Sequence, residues 1–279
     1  MNKQQIRDML EMQNSCNAVA ITGKIDGKWQ DFVYLHQLSF DHFSYSNALI
    51  VELGEFLTEV GYKWWKQTTP NIEHAKMELI DVFHFLLSMV LVDIEVADDF
   101  ECGKIQDAYL QSGDYYESLG NRRNQQQICG LCVSSMALHA GKWAERVRHD
   151  GPGHVKLSEE CSNLLIYFFI ACRAIGLSPK ELYRTYVGKN VLNVFRYENG
   201  FKDGTYEKRW FKRGNLPDDG LEDNEVLNLV LNKLGDEASA AEIKGLLTKL
   251  YAKRNTGVTA LNQSTGRIEI EGIDTWSKA

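Results

Sequence analysis

The sequence predicts an all-α protein, built as a helical bundle. Only four prolines interrupt its 279 residues. Apolar residues recur at spacings of three and four through most of the chain, which is the period of one face of a helix. With 44% hydrophobic and 25% charged residues, the composition is that of an ordinary globular protein rather than a fibrous or disordered one.

The predicted helices follow one another between proline and glycine breaks. We expect them at 3–20, 46–66, 72–97, 104–118, 122–148, 158–175 and 178–196, with weaker ones near 222–234 and 237–254. Pro70 separates two long helices, and Pro179 suits the first turn of another. Residues 199–220 contain four glycines and predict a long loop. The expected organisation is an all-α domain over 1–220 with a variable part at about 100–180, C-terminal helices over 221–254, and a loose tail over 255–279.

Charge and apolar patterning exclude several classes of protein. The net charge of −7 has the wrong sign for a general binder of nucleic acids or anionic membranes. The longest apolar runs, 85–92 and 164–172, are far shorter than the ~20 residues of a transmembrane helix. The first residues show no export pattern and the six cysteines form no disulfide framework, so we expect a soluble cytoplasmic protein. Cys129 and Cys132 form one CxxC, better interpreted as two buried thiols than as a zinc site.

Two pairs of carboxylates stand in apolar helical runs. Glu52 and Glu55 are three residues apart, as are Glu78 and Asp81, so each pair projects from one helix face. Both pairs are centred on position 66.5, close to the turn expected at 67–70. An antiparallel helix hairpin would therefore bring Glu52 opposite Asp81 and Glu55 opposite Glu78.

This carboxylate hairpin predicts a metal site. Four acids cannot stay ionised side by side without cations, and hard oxygen ligands suit two or more Mg²⁺ ions, with Mn²⁺ as an alternative. The competing interpretation is a solvated helix face with coincidental spacing. A di-iron site is disfavoured because Asp81 and His84 would supply one half of its pattern and no second half occurs.

A cationic segment follows later in the chain. Lys189, Asn193 and Arg196 are four and three residues apart and share one helix face. Lys202 and Lys208 follow in the glycine-containing loop. Alone, this segment would be a solvated basic face; beside a metal-loaded carboxylate cluster, it would bind a polyphosphate.

Together these motifs resemble the dimeric, all-α dUTP pyrophosphatases of the MazG-like superfamily. The matching stretches are Glu52-Leu-Gly-Glu55, Lys63-Trp-Trp65-Lys66, Glu78-Leu-Ile-Asp81 with His84-Phe85, Lys189 to Arg196, and Gly200 to Tyr206. The resemblance covers about 1–100 and 180–210, whereas the middle matches only as helices. Phe201 replaces the family's loop tyrosine and Gln67 an asparagine.

The resemblance implies a cytoplasmic homodimer that hydrolyses dUTP to dUMP and pyrophosphate with Mg²⁺, limiting uracil in DNA. dUDP is a further candidate substrate. A carboxylate beside the attacking water can orient and deprotonate it, and we expect Glu55 to do so, with Glu52 second.

The predicted substrate contacts divide between base and phosphates. Gln13, Asn17 and Asn193 are candidates for reading uracil, because amides match its donors and acceptors, and Trp65 and Phe85 for apolar walls. The remaining predicted contacts are Lys66, His84, Lys189, Arg196, Lys202, Tyr206 and Lys208. The alternatives are a dCTP or broader nucleoside triphosphate pyrophosphohydrolase and a non-enzymatic helical interaction protein.

Overall fold

The structure is a computed structural model, and helices make up most of the chain that it describes. The described residues are 1–22, 29–39, 44–94, 98–120, 123–151, 156–211, 220–255, 258–262, 267–270 and 273–277. The chain divides into two compact units, Met1–Tyr186 and Val187–Ala279. The predicted all-α fold is confirmed.

The helices and strands are numbered in chain order. Unit 1 contains α1 (Lys3–Thr22), α2 (Trp29–Ser39), α3 (Tyr45–Glu59), α4 (Ile72–Asp93), α5 (Asp99–Gly120), α6 (Gln125–Asp150) and α7 (Glu159–Ala174). Helix α8 (Pro179–Glu198) begins in unit 1 and ends in unit 2. Unit 2 adds β1 (Arg209–Trp210), β2 (Leu221–Glu222), α9 (Asp223–Leu234), α10 (Ala240–Ala252), β3 (Val258–Asn262), β4 (Arg267–Ile270) and β5 (Ile273–Ser277). Strand β1 pairs antiparallel with β2, and β3, β4 and β5 form an antiparallel sheet in that order.

Helices α3 and α4 form the predicted hairpin. Ser44 begins α3 by accepting the Asn47 N–H at 3.3 Å, and Asn71 begins α4 in the same way. The Asn71 N–H donates to the Glu59 carbonyl at 2.8 Å, so the chain returns to the end of α3 as α4 starts. The apolar side chains of α4 pack in the core of unit 1. There the Phe83 ring stacks on the Phe168 ring, with ring centroids 4.5 Å apart.

Helix α3 ends at Glu59 rather than at 66 as the sequence predicted. The reason is Gly61, which has φ 71° and whose N–H donates to the Thr58 carbonyl at 3.1 Å. These are features of a Schellman C-cap, in which a glycine in the left-handed region closes the helix. Trp65 and Lys66 consequently lie in the irregular segment between α3 and α4, not on a helix.

Helix α2 was not predicted. Its Trp29 and Val33, four positions apart, are buried, and the Trp29 Nε1–H donates to Asn14 Oδ1 at 2.8 Å. This short helix owes its stability to tertiary packing that the local pattern does not reveal. Strands β3 to β5 lie within the segment predicted as a loose tail, and the boundaries of the domains stay a prediction.

Two further predictions from the sequence concern the CxxC cysteines and membrane-spanning helices. Cys129 and Cys132 are buried in α6, as predicted, and burial raises the pKa of both thiols. Among the described helices, none is by itself long and apolar enough to cross a membrane. The bent pair α7 and α8 passes that test only when the two are joined.

Candidate functional site

Three carboxylates meet on the α3–α4 hairpin. Glu52, Glu55 and Glu78 each place an oxygen within 4.8 Å of the others. Glu52 and Glu78 are half-buried and Glu55 is exposed. Glu55 and Glu78 line an open groove of about 250 Å³, together with Val51, Gly54, Thr58 and Glu59.

Asp81 is not part of this three-glutamate cluster among the described residues. It follows Glu78 by one helical turn on α4 and is half-buried. The aspartate side chain is one methylene shorter than that of glutamate, which shortens its reach across the hairpin. The structure thus brings together three of the four predicted ligands, and Asp81 stays a predicted one.

The three-glutamate cluster has the chemistry of a divalent-metal site. Two like unit charges about 4 Å apart repel by about 1 kcal/mol even in water, and by more near a protein surface. A divalent cation removes that repulsion, and carboxylate oxygens are the ligands that Mg²⁺ prefers. The groove gives an ion and a polar ligand access to Glu55, the most exposed of the three.

A buried polar network joins α1, α4 and α8 in unit 1. The Tyr186 hydroxyl donates to Gln13 Oε1 at 2.8 Å, and His84 Nδ1 lies 2.7 Å from the same oxygen. Gln13 Nε2 donates to Asn17 Oδ1 at 2.8 Å, and Asn17 Nδ2 donates to Ser88 Oγ at 3.0 Å. The five side chains are buried, and Tyr186 stacks on His84 with ring centroids 4.6 Å apart.

This network holds two of the predicted base-reading amides and adds residues that the sequence analysis missed. Gln13 and Asn17 are only 4% and 5% exposed, and their amides are oriented by protein partners. Ser88 lies one turn after His84, a spacing that could have pointed to it. Tyr186 lies too far along the chain for any local pattern to link it with α1. Base reading by this network stays a prediction.

The predicted apolar walls differ in accessibility. Trp65 is 64% exposed and its ring contacts Trp64 edge to face at 5.7 Å. Lys66, next to it, is also exposed. Phe85 is half-buried and lies 6.2 Å from the Tyr45 ring. The Trp65 ring therefore lies mostly in solvent, and a wall of the nucleotide site formed by this ring would be open to water.

In unit 2, Arg196 is paired with an aspartate absent from the prediction. Arg196 Nε and Nη2 donate to the two oxygens of Asp223, each at 2.8 Å, and Nη1 donates to Asn193 Oδ1 at 3.1 Å. The Tyr206 hydroxyl donates to Asp223 Oδ2 at 2.8 Å. Burial, and next the Asp223 charge, raise the pKa of Tyr206, so its hydroxyl keeps its proton and acts as a donor.

Lys189 is only 2% exposed, and its ammonium donates to Asn224 Oδ1 at 3.1 Å. Asp223 and Asn224 open helix α9, where the sequence suggests nothing more than an N-terminal turn with favourable acidic and amide residues. Their contacts with α8 depend on how α9 packs, which explains why the sequence analysis missed them.

The two loop lysines are at the surface. Lys202 Nζ lies 5.6 Å from the centre of the Tyr197 ring, and Lys208 Nζ lies 5.5 Å from that of Phe201. The turn that carries Lys202 is closed by the Thr205 N–H, which donates to the Gly200 carbonyl at 3.0 Å. The predicted loop thus starts as a hydrogen-bonded turn; its part at 212–219 lies outside the described residues.

Comparison with protein families adds an independent finding. The family model described as dUTPase matches residues 5–201, most of the chain. The match includes the carboxylate hairpin, the buried polar network and Lys189 to Arg196, and it ends before Lys202 and α9. No curated protein matches the chain.

Proposed function

Because the chain belongs to the all-α dUTPase family and is thus a dUTP diphosphatase, we propose that Mg²⁺ is the metal with which it hydrolyses dUTP to dUMP and pyrophosphate. The observation that carries this proposal is the three-glutamate cluster, whose oxygens approach within 4.8 Å beside an open groove. dUDP, with release of phosphate, is proposed as a second substrate.

The proposed metal ligands are Glu52, Glu55, Glu78 and Asp81. They would hold two or more Mg²⁺ ions, and Mn²⁺ would serve in their place. When bound, such ions supply positive charge to the phosphates and lower the pKa of water. This agrees with the charge of the chain, because a protein of net charge −7 otherwise repels a triphosphate.

Glu55 is the proposed general base. It is exposed at the groove, where a water molecule has access, whereas Glu52 and Glu78 are half-buried. Its carboxylate would orient the attacking water and take its proton, and Glu52 is the second candidate. Either role requires a carboxylate that the attacking water can reach.

The proposed phosphate ligands are cationic or hydroxyl groups. Lys66, Lys189, Arg196, Lys202, Tyr206 and Lys208 would take phosphate oxygens and offset charge as the anhydride breaks. For the base, we propose Gln13, Asn17, His84 and Asn193 as polar contacts and Trp65 and Phe85 as apolar ones. The buried network supports the first part in one respect, since protein partners hold the Gln13 and Asn17 amides in one orientation.

We further propose that the protein acts as a cytoplasmic homodimer, without nucleic acid or membrane partners, and limits uracil in DNA. Its cellular role would be to lower dUTP and supply dUMP.

A substrate panel tests the activity. Purified protein is assayed with dUTP, dUDP, dCTP, dTTP and UTP, with Mg²⁺ or with a chelator, and products are separated by chromatography. We expect dUTP to be the best substrate, dUMP and pyrophosphate to be its products, and the chelator to stop turnover. Glu55→Gln, prepared in parallel, controls for contaminating phosphatases. Efficient dCTP cleavage would favour the dCTP alternative, and no turnover of any nucleotide would favour the interaction protein.

A further inference from the structure

A buried carboxylate in unit 2 lies outside the part of the chain that matches the family. The match ends at residue 201, and Asp223 is the first residue of α9. Asp223 is 2% exposed, although an isolated buried carboxylate is costly. Its contacts must therefore compensate for the loss of water.

Asp223 joins two parts of the proposed phosphate-binding segment. Its carboxylate accepts two hydrogen bonds from Arg196 on α8 and one from the Tyr206 hydroxyl in the following loop. Its N–H donates to the Lys208 carbonyl at 2.9 Å. Asp223 thus holds the C-terminal end of α8 through Arg196. It also holds both ends of the segment 206–208, through the Tyr206 hydroxyl and the Lys208 carbonyl.

The packing of α9 on α8 places Asp223 at this position. A Cβ atom on Gly188 would lie 3.0 Å from both Leu231 methyl carbons and 3.2 Å from a Leu227 methyl carbon. The glycine therefore permits a close approach of the two helices. Asp223, Leu227 and Leu231 are four residues apart in succession and share the face of α9 that meets α8.

The contact extends from Asp223 through Arg196 to Asn193. Arg196 uses Nε and Nη2 for Asp223 and Nη1 for Asn193 Oδ1. With its oxygen engaged, the Asn193 amide can offer its NH₂ group as a donor to a ligand. The orientation of the Asn193 side chain thus depends on the position of the Arg196 guanidinium.

We propose that Asp223 is a positioning residue for dUTP hydrolysis, which holds Arg196 ready for the nucleotide, orients Asn193 through Arg196 and anchors the loop through the Tyr206 hydroxyl. This inference rests on the proposed function and deepens it. Without the carboxylate, the long arginine side chain would have to be ordered when the nucleotide binds, and that entropic cost would weaken binding. In this role Asp223 would act through Arg196 and not by contacting the nucleotide or the metal.

The test uses two variants of the full chain. Asp223→Asn removes the negative charge and keeps the shape of the side chain. Asp223→Glu keeps the negative charge that compensates the half-buried Arg196 guanidinium, but it moves the carboxylate by one methylene. A shift of about 1 Å in a supporting group is enough to lower kcat/KM. The matched control is Glu198→Gln, which breaks an exposed ion pair between α8 and Lys244. Circular dichroism establishes that each variant is folded.

We expect kcat/KM for dUTP to fall about tenfold or more in both Asp223 variants, mostly through a higher KM, because preorganisation acts on binding. The control should keep the parent values. The affinity for a non-hydrolysable dUTP analogue with Mg²⁺, measured by calorimetry, should fall by a similar factor. If Asp223→Asn does not fold, Asp223→Glu alone decides the question.

Parent values of KM and analogue affinity in folded Asp223→Glu would overturn the proposal and leave Asp223 a structural anchor. A loss in kcat with unchanged KM and affinity would also overturn it. If the parent protein turns over no dUTP, the proposed function fails, and the analogue affinities still decide the role of Asp223. A parent protein that neither turns over dUTP nor binds the analogue would overturn both.

Discussion

Among the carboxylates of helix α4, Glu78 in its N-terminal half and Asp93 at its C-terminal end have different surroundings. At its C-terminal end, Asp93 is 1% exposed and accepts hydrogen bonds from Trp143 Nε1 at 2.9 Å and from the Ser158 N–H at 3.1 Å. The Arg146 guanidinium and the Ser158 hydroxyl also donate to it. Near the other end, Glu78 is half-buried and lies within 4.8 Å of two other carboxylates.

The comparison distinguishes Asp93, a carboxylate that stabilises the fold, from the three-glutamate cluster, whose carboxylates are available to bind a cation. Donors converge on Asp93, so its burial is compensated within the protein. The three-glutamate cluster brings like charges together, which lowers stability until a cation binds. Burial alone therefore does not identify a functional acid; the identity of its nearest neighbours does.

The largest effect is expected at the glutamate end. Glu55→Gln should lower dUTP turnover by about a thousandfold, or about 4 kcal/mol in the barrier, because it removes the proposed base and a proposed metal ligand. Thermal unfolding of the metal-free variant should occur at the same or a higher temperature, since one repelling charge is gone. Glu73→Gln, an exposed carboxylate on α4, is the matched control. Activity within tenfold of the parent would remove Glu55 from the mechanism.

At the other end the expected effect is on stability. Asp93→Asn should lower the free energy of unfolding by about 3 kcal/mol, because Arg146 loses the charge that compensates its partial burial. Turnover per folded molecule, assayed well below the melting temperature, should stay at the parent value. Urea unfolding provides the measurement. A variant as stable as the parent would show that the comparison between the two ends is wrong.

Metal addition should distinguish the two ends directly. At about one hundred times its dissociation constant, Mg²⁺ should stabilise the parent by about 2.7 kcal/mol. Asp93→Asn should gain the same amount, whereas Glu78→Gln should gain less. Thermal unfolding with and without Mg²⁺ gives these values. An equal gain in all three proteins would place the metal elsewhere.

The smallest effect is expected in unit 2, where the same comparison applies to two cationic side chains, Lys202 and Arg196. Lys202 is exposed over the Tyr197 ring, whereas Arg196 is paired with a buried carboxylate. Lys202→Ala should lower dUTP turnover about tenfold, or about 1.4 kcal/mol, with a change in stability below about 0.5 kcal/mol. Hydrogen exchange at 199–209 should slow when a non-hydrolysable dUTP analogue and Mg²⁺ are added. Equal protection in both states would mean that the loop is a fixed element and not a clamp.

Local sequence patterns were sufficient to predict the carboxylate hairpin. The apolar period predicted α3 and α4, and equal distances from the turn predicted that Glu55 and Glu78 would meet. The pattern did not predict where α3 ends, because that depends on the positive φ of Gly61 and on the carbonyls it satisfies. The apolar spacing continues past Gly61, although a glycine at this position is itself a signal for the end of a helix.

Contacts between distant segments could not be predicted. Arg196 and Asp223 are 27 positions apart, and their pairing requires α9 to pack closely at Gly188. Tyr186 reaches Gln13 from α8 for a similar reason. Sequence spacing places residues on one face of an element, but which faces meet depends on packing along the whole chain.

The early end of α3 gives the protein an optical property. Trp64 and Trp65 stand in the linker after the Gly61 cap, 86% and 64% exposed, whereas Trp29, Trp143 and Trp210 are fully buried. Indole emission shifts to longer wavelength in water, so the linker pair contributes a red-shifted component that aqueous quenchers reach. The buried indoles contribute a shielded, blue-shifted component. Among the five tryptophans whose side chains the structure describes, the red-shifted component therefore reports on the segment that joins the two glutamate-bearing helices, without any attached dye.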